Sequence, residues 1–165
     1  MHRVSQLVGK PIVTSESGEH VGKTTDLLIS QDGSHIVGFV VSGGILGSEK
    51  GVLPYDQVHS LGGDVIVANG VEPVLDRNDW RARHVEAIRS SDFTHKRVVS
   101  TDGVSMGQLK DLCVDEPTGR IGGYEIAQSR FLGLGHRCQI VEPSGDVVIG
   151  KDVLLIPEGS TGPRT

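Results

Sequence analysis

Two cysteines, Cys113 and Cys138, are too few for a disulfide framework, and neither belongs to a Cys-x-x-Cys pair that would hold zinc or exchange disulfides. Reduced thiols in a cytosolic protein are the reading this favours. No apolar run approaches the roughly 20 residues that cross a bilayer, and the opening Met-His-Arg-Val-Ser-Gln lacks the apolar stretch of a secretion signal. A soluble, cytoplasmic chain without a transmembrane segment is expected. Positive charge is scarce too. Against 21 Asp and Glu stand 16 Lys and Arg, a net charge of -5, which argues against a broad nucleic-acid face.

Motifs of metal and phosphate chemistry are also missing. The seven histidines form no His-x3-His or His-Glu-x2-His frame, and His20, His35 and His59 have no histidine counterparts later in the chain. The glycine clusters lack the Gly-Lys-Ser/Thr ending of a phosphate loop. No metal, cofactor or catalytic residue is expected. Cys113 has no adjacent base, and it stands where the first half of the chain has Leu28, so a buried thiol is expected there.

What the chain does have is glycine, 23 residues of it, without low complexity. That points to many turns and short strands. The glycines fall in a repeated frame. Gly18-Glu-His-Val-Gly22-Lys-Thr-Thr-Asp26-Leu27 returns as Gly103-Val-Ser-Met-Gly107-Gln-Leu-Lys-Asp111-Leu112. Two units of about 75 residues follow from it, at 1–75 and 92–157. Units so small bury only about 60% of their unfolded surface, so the copies should pack on each other or on a second chain.

Each unit reads as strands. Pro11 to Thr14 starts a strand, Val21 to Ser30 is a longer one bent at Gly22, and Asp32-Gly33 marks a hairpin. Ile36 to Val41 is apolar on both faces. The second copy places Glu125 where the first has Val40, so Phe39 and Val41 should point inward. The expected core is Leu27, Ile29, Phe39, Val41 and Val52 in copy one, with Leu112, Val114, Tyr124, Ile126 and Val141 in copy two. Pro143 is matched to Pro54 and His95 to Gly9. Residues 76–91 lack glycine and proline, and Trp80, His84 and Ile88 recur every four residues, which predicts a helical connector capped by Asn78 or Asp79. It is also locally basic, with Arg77, Arg81, Arg83 and Arg89. Residues 158–165 read as a disordered tail.

The frame Leu7-x-Gly9-Lys10-Pro-Ile-Val, the Gly18-x3-Gly22-x3-Asp26-Leu27 turn and strand, Val37-Gly38-Phe39-Val-Val and Pro54-Tyr55-Asp56-x-Val58 together resemble the PRC-barrel family. Those small β-barrels occur in the photosynthetic reaction-centre H subunit and in ribosome-maturation factors, and stand-alone tandems of this kind are bacterial. The resemblance implies an all-β protein, two small six-stranded or similar barrels joined by the helical connector. The second copy is the degenerate one, since Pro143-Ser144-Gly145-Asp146 lacks the aromatic-Asp pair. The resemblance also implies a non-catalytic protein–protein interaction or scaffold role, with another protein or a second copy of this chain as partner. A ribosome- or RNA-associated factor, through the basic connector, is the second reading. A small-ligand binder or an enzyme is the third.

Both copies place two bulky apolar residues in a glycine-flanked loop, Ile45-Leu46 and Phe131-Leu132. Loops are normally polar because they lie in water. Either these side chains fold back to plug a barrel or seal the two together, or they dock a partner. With Tyr55 and Asp56 beside them they make the candidate contact surface. Asp26 and Asp111, at the same place in both copies, read as a turn or ladder feature rather than as half of a catalytic carboxylate pair.

Overall fold

The computed structural model describes residues 1–43, 46–129 and 136–160. The first half opens with the strand β1 (His2–Arg3) and a single helical turn, α1 (Val4–Leu7). Then come β2 (Pro11–Thr14), β3 (His20–Ser30), β4 (Ile36–Gly43), β5 (Ser48–Pro54), β6 (Val58–Leu61) and β7 (Ile66–Ala68). A short helix, α2 (Arg77–Ala82), leads into the second half. There β8 (Ala87–Arg89) and the turn α3 (Ser90–Phe93) precede β9 (Arg97–Ser100), β10 (Ser105–Val114), β11 (Ile121–Ser129), β12 (His136–Val141), β13 (Val148–Ile149) and β14 (Val153–Ile156).

The two halves build two sheets of seven strands with one strand order. The first runs β5-β4-β3-β2-β7-β6 and the second β12-β11-β10-β9-β14-β13, each with one parallel pair among the described residues, β2 with β7 and β9 with β14. Six strands of each sheet come from its own repeat. The seventh comes from the other repeat: β1 pairs with β10, and β8 pairs with β3. The repeated glycines make the expected bends. Gly22 and Gly107 sit at bulges with φ of +150° and +120°, and an added Cβ would lie 2.6 Å and 2.3 Å from the carbonyl oxygens of Ser42 and Ala127. Only glycine fits both the torsion and the space.

Period-two alternation sorts the strands into two faces. Leu27, Ile29, Phe39, Val41, Leu112, Val114, Tyr124, Ile126 and Val141 all point into one apolar core that runs through both barrels. Val52 is buried as expected, but on the opposite face. It joins Leu28 and Val40 beneath Trp80 of α2, and that cover explains why β4 is apolar on both sides. Leu53, opposite Phe39, holds the core place that Val141 holds opposite Tyr124. The match of Pro143 to Pro54 is therefore one residue out of register: Glu142 stands for Pro54, and Pro143 for Tyr55.

The connector is only partly helical. Asp76 caps α2 by accepting from the Asp79 amide, the helix ends at Ala82, and His84 has φ +53°. Ile88 lies on β8, held there by pairing with Ile29. The four-residue spacing of Trp80, His84 and Ile88 thus spans two elements. Residues 87–91 belong with the second repeat, because β8 and α3 are its counterparts of β1 and α1. His95 keeps the left-handed backbone of Gly9, at φ +70° against +92°. Of the expected tail, Ser160 is tied down through the Ser144 amide and the Pro157 carbonyl, and residues 161–165 lie outside the described residues.

Thr24 is completely buried, and its Oγ1 has no hydrogen-bond partner among the described residues. Its counterpart is Leu109, which faces Ile126 as Thr24 faces Val41. A buried hydroxyl without a partner costs about 1 kcal/mol or more. Thr24→Val, which keeps the shape, is therefore expected to raise the melting temperature by roughly 2–4 °C. An unchanged or lower melt would show that the hydroxyl is satisfied.

Candidate functional site at the seam between the barrels

The repeated aspartates hold the exchanged segments. Asp26, 7% exposed in the first barrel, accepts from the hydroxyls of Ser90 and Ser91, the Ser91 amide and the Leu27 amide. Asp111, 5% exposed in the second, accepts from the hydroxyl and amide of Ser5 and from the Leu112 amide. A helical turn from each repeat is thus docked on the other repeat's aspartate. The ladder role expected for these residues is only half of what they do; each is also the receptor for a crossed-over chain.

Burial works to raise the Asp26 pKa, but the Ser90 and Ser91 hydroxyls and the two amides favour the carboxylate more, leaving it below its ordinary value. The unfolded chain then binds the proton more readily than the folded one. The stability from this clasp is fully present above the unfolded value near pH 4 and is lost as pH falls through the folded value. Urea midpoints measured from pH 7 to pH 2.5 should fall less steeply in Asp26→Asn than in the parent chain. Equal slopes would remove Asp26 from the acid transition.

Above the clasps, the β3–β4 and β10–β11 hairpin tips meet. The Ile36 amide donates to the Gly119 carbonyl at 2.9 Å, and the Ile121 amide to the Ser34 carbonyl at 2.7 Å. Tyr55 closes one side of this junction. Its ring stacks on Phe39 with centroids 5.9 Å apart and lies so close over Gly119 that an added Cβ would be 2.8 Å from a ring carbon. Its hydroxyl donates to the Glu116 carbonyl at 2.6 Å. Burial, helped by the Glu116 and Asp115 carboxylates, pushes the phenol up to about 12, so it remains a donor. The Glu116 carboxylate accepts from the Leu61 amide and contacts His2, which together hold it below its usual range.

The other side of the junction is built differently. Tyr124, in the place of Phe39, donates to the Gly33 carbonyl. Pro143 stands where Tyr55 would be, and it leaves a cavity of about 490 Å³ lined by Asp32, Gly33, Ser34, Arg120, Tyr124 and Pro143 among others. Nothing in the Gly-x3-Gly-x3-Asp frame signals this cavity. The one clue was the missing aromatic after the proline of the second copy.

Of the expected contact residues, Leu46, Tyr55 and Asp56 lie among the described ones. Leu46 is 93% exposed at the tip of the β4–β5 loop, so it plugs nothing. Ile45, Phe131 and Leu132 lie outside the described residues. Tyr55 is engaged inside the molecule, and Asp56 is 3.4 Å from Arg83. The basic connector is largely matched by acids of the first barrel, since Arg77 and Arg89 both approach Glu49, at 3.9 Å and 3.1 Å. Cys113 is buried, which raises its pKa, and Cys138 is exposed. Among the described residues no group of three or more His, Cys, Asp or Glu is arranged to hold a metal, and no helix is long and apolar enough to cross a membrane.

No curated protein matches the chain. The PRC-barrel domain matches it twice, over residues 1–75 and 85–161. The second match takes in β8 and α3, as their equivalence to β1 and α1 requires. With two matches laid over two sheets of the same strand order, the chain belongs to the PRC-barrel domain family and carries two copies of the domain in tandem.

Proposed function

We propose that the chain is a non-catalytic protein–protein interaction or scaffold module. The observation that carries this reading is the use made of the repeated acids. Asp26 and Asp111, the residues best placed by recurrence to do chemistry, spend their lone pairs on the crossed-over turns that join the barrels. Two further features support it. The Cys113 thiol is buried and kept protonated, and three of the four connector arginines, Arg77, Arg83 and Arg89, face Glu49 or Asp56.

Leu46 is the natural centre of a contact, because a leucine left 93% exposed between glycines gains most by being covered. Leu46→Ser is expected to reduce association, with a second copy or with a protein captured from cytosolic extract, by tenfold or more and to leave the melt unchanged. Light scattering and pull-down measure the two forms of association. Capture that survives Leu46→Ser but is abolished by nuclease or high salt would replace this reading with the RNA-associated one.

A further inference from the structure

We propose that the cavity beside Pro143 is a binding site for an aromatic side chain flanked by basic residues, presented by a partner polypeptide. This deepens the interaction reading and rests on it. The argument comes from the two halves of the molecule, which are related position by position at the junction. In one half the seam is closed by a tyrosine ring lying over Gly119 and hydrogen-bonded to the opposing hairpin's backbone at Glu116. In the other, the hairpin position equivalent to Gly119 is Ser34, Pro143 takes the tyrosine's place, and the opposing hairpin is reached only from inside the core, by the Tyr124 hydroxyl at the Gly33 carbonyl. The cavity of about 490 Å³ that remains falls within the range of small binding pockets. The molecule itself thus displays the kind of group that completes this junction.

The walls specify what should surround that ring. Ile121, Tyr124 and Val147 are apolar residues of its lining, while Asp32, Asp115, Glu142 and Asp146 outnumber Arg120 among the charged side chains around it. Asp32 is fixed by the hydroxyls of Ser30 and Ser34, whose bonds favour its ionised form. A neutral aromatic ring fits the apolar lining, and flanking lysines or arginines answer the acids. An acidic partner segment would be repelled.

The test titrates the full chain, uniformly labelled with nitrogen-15, with the peptides acetyl-Arg-Tyr-Arg-amide and acetyl-Arg-Ala-Arg-amide. The tyrosine peptide is expected to shift the amides of Gly33, Ser34, Gly122 and Gly145 in a saturable manner, at least tenfold more tightly than the alanine peptide. Pro143→Tyr, which restores the missing ring, should abolish the saturable shifts. Should that variant misfold, Gly145→Phe serves instead, since an added Cβ there has its nearest neighbour 3.7 Å away and the ring can fill the cavity from its rim. Equal binding of the two peptides would reduce the site to a patch of negative charge and overturn the proposal, as would saturable shifts that persist in a folded blocking variant. The readout does not involve Leu46. Peptide binding in a chain whose association survives Leu46→Ser would locate the fault in the Leu46 contact, and absent peptide binding in a chain whose association Leu46→Ser abolishes would locate it here.

Discussion

Residues 1–75 expressed alone will not give a folded monomer. Strand β3 would lack β8, Asp26 would lose the three donors of Ser90 and Ser91, and the core that continues into the second barrel would lie open. The lost hydrogen bonds and the apolar core opened to water together cost several kcal/mol, a large share of the roughly 5–15 kcal/mol that holds a typical domain together. The fragment should be unfolded, or self-paired with its own β1 and α1 standing in for β8 and α3. Cleavage near the exposed His84 gives a sharper version: fragments 1–83 and 84–165, each disordered by nitrogen-15 correlation spectra, should regain dispersed spectra on mixing. A monomeric fragment 1–75 with a dispersed spectrum would show that the exchange is ornamental.

Phe39→Ala is expected to cost about 3–5 kcal/mol, the usual range for emptying a phenylalanine site in a packed core. Phe39 has no exposed surface, and its ring is the one on which Tyr55 stacks. The substitution therefore also loosens the ring that closes one side of the junction. Urea unfolding measures the loss, and a fall in melting temperature of roughly 6–20 °C should accompany it. A change below 1 kcal/mol would mean that the first barrel repacks around the gap.

The sheets were legible because the repeat could be compared with itself. Glu125 in the place of Val40 revealed the inward face of β4, and equal spacing put Gly22 and Gly107 at equivalent bends. The crossing of chains was not legible. Each repeat contains a complete set of elements, and Ser5 or Ser91 reaching an aspartate of the other copy leaves the same pattern as reaching its own. The connector misled for a different reason. Trp80 covers Leu28, Val40 and Val52, whereas Ile88 is half-buried by strand pairing, so two independent demands produced a helical period. The Pro143 register failed because proline was matched to proline, while the ladder between β11 and β12 is set by Val141 opposite Tyr124.

The pairing of β1 with β10 also fixes when this protein can finish folding during its own synthesis. Arg3 waits for Cys113, so its partner is made roughly 110 residues later, a delay on the order of 5–20 s at ordinary translation rates. Throughout that interval Leu7 and the other apolar residues at the start have no second barrel to enter. The nascent chain carries this adhesive first segment until the second repeat has been made, and slowing translation between the repeats would lengthen the time in which neighbouring nascent chains can capture one another's β1 and α1.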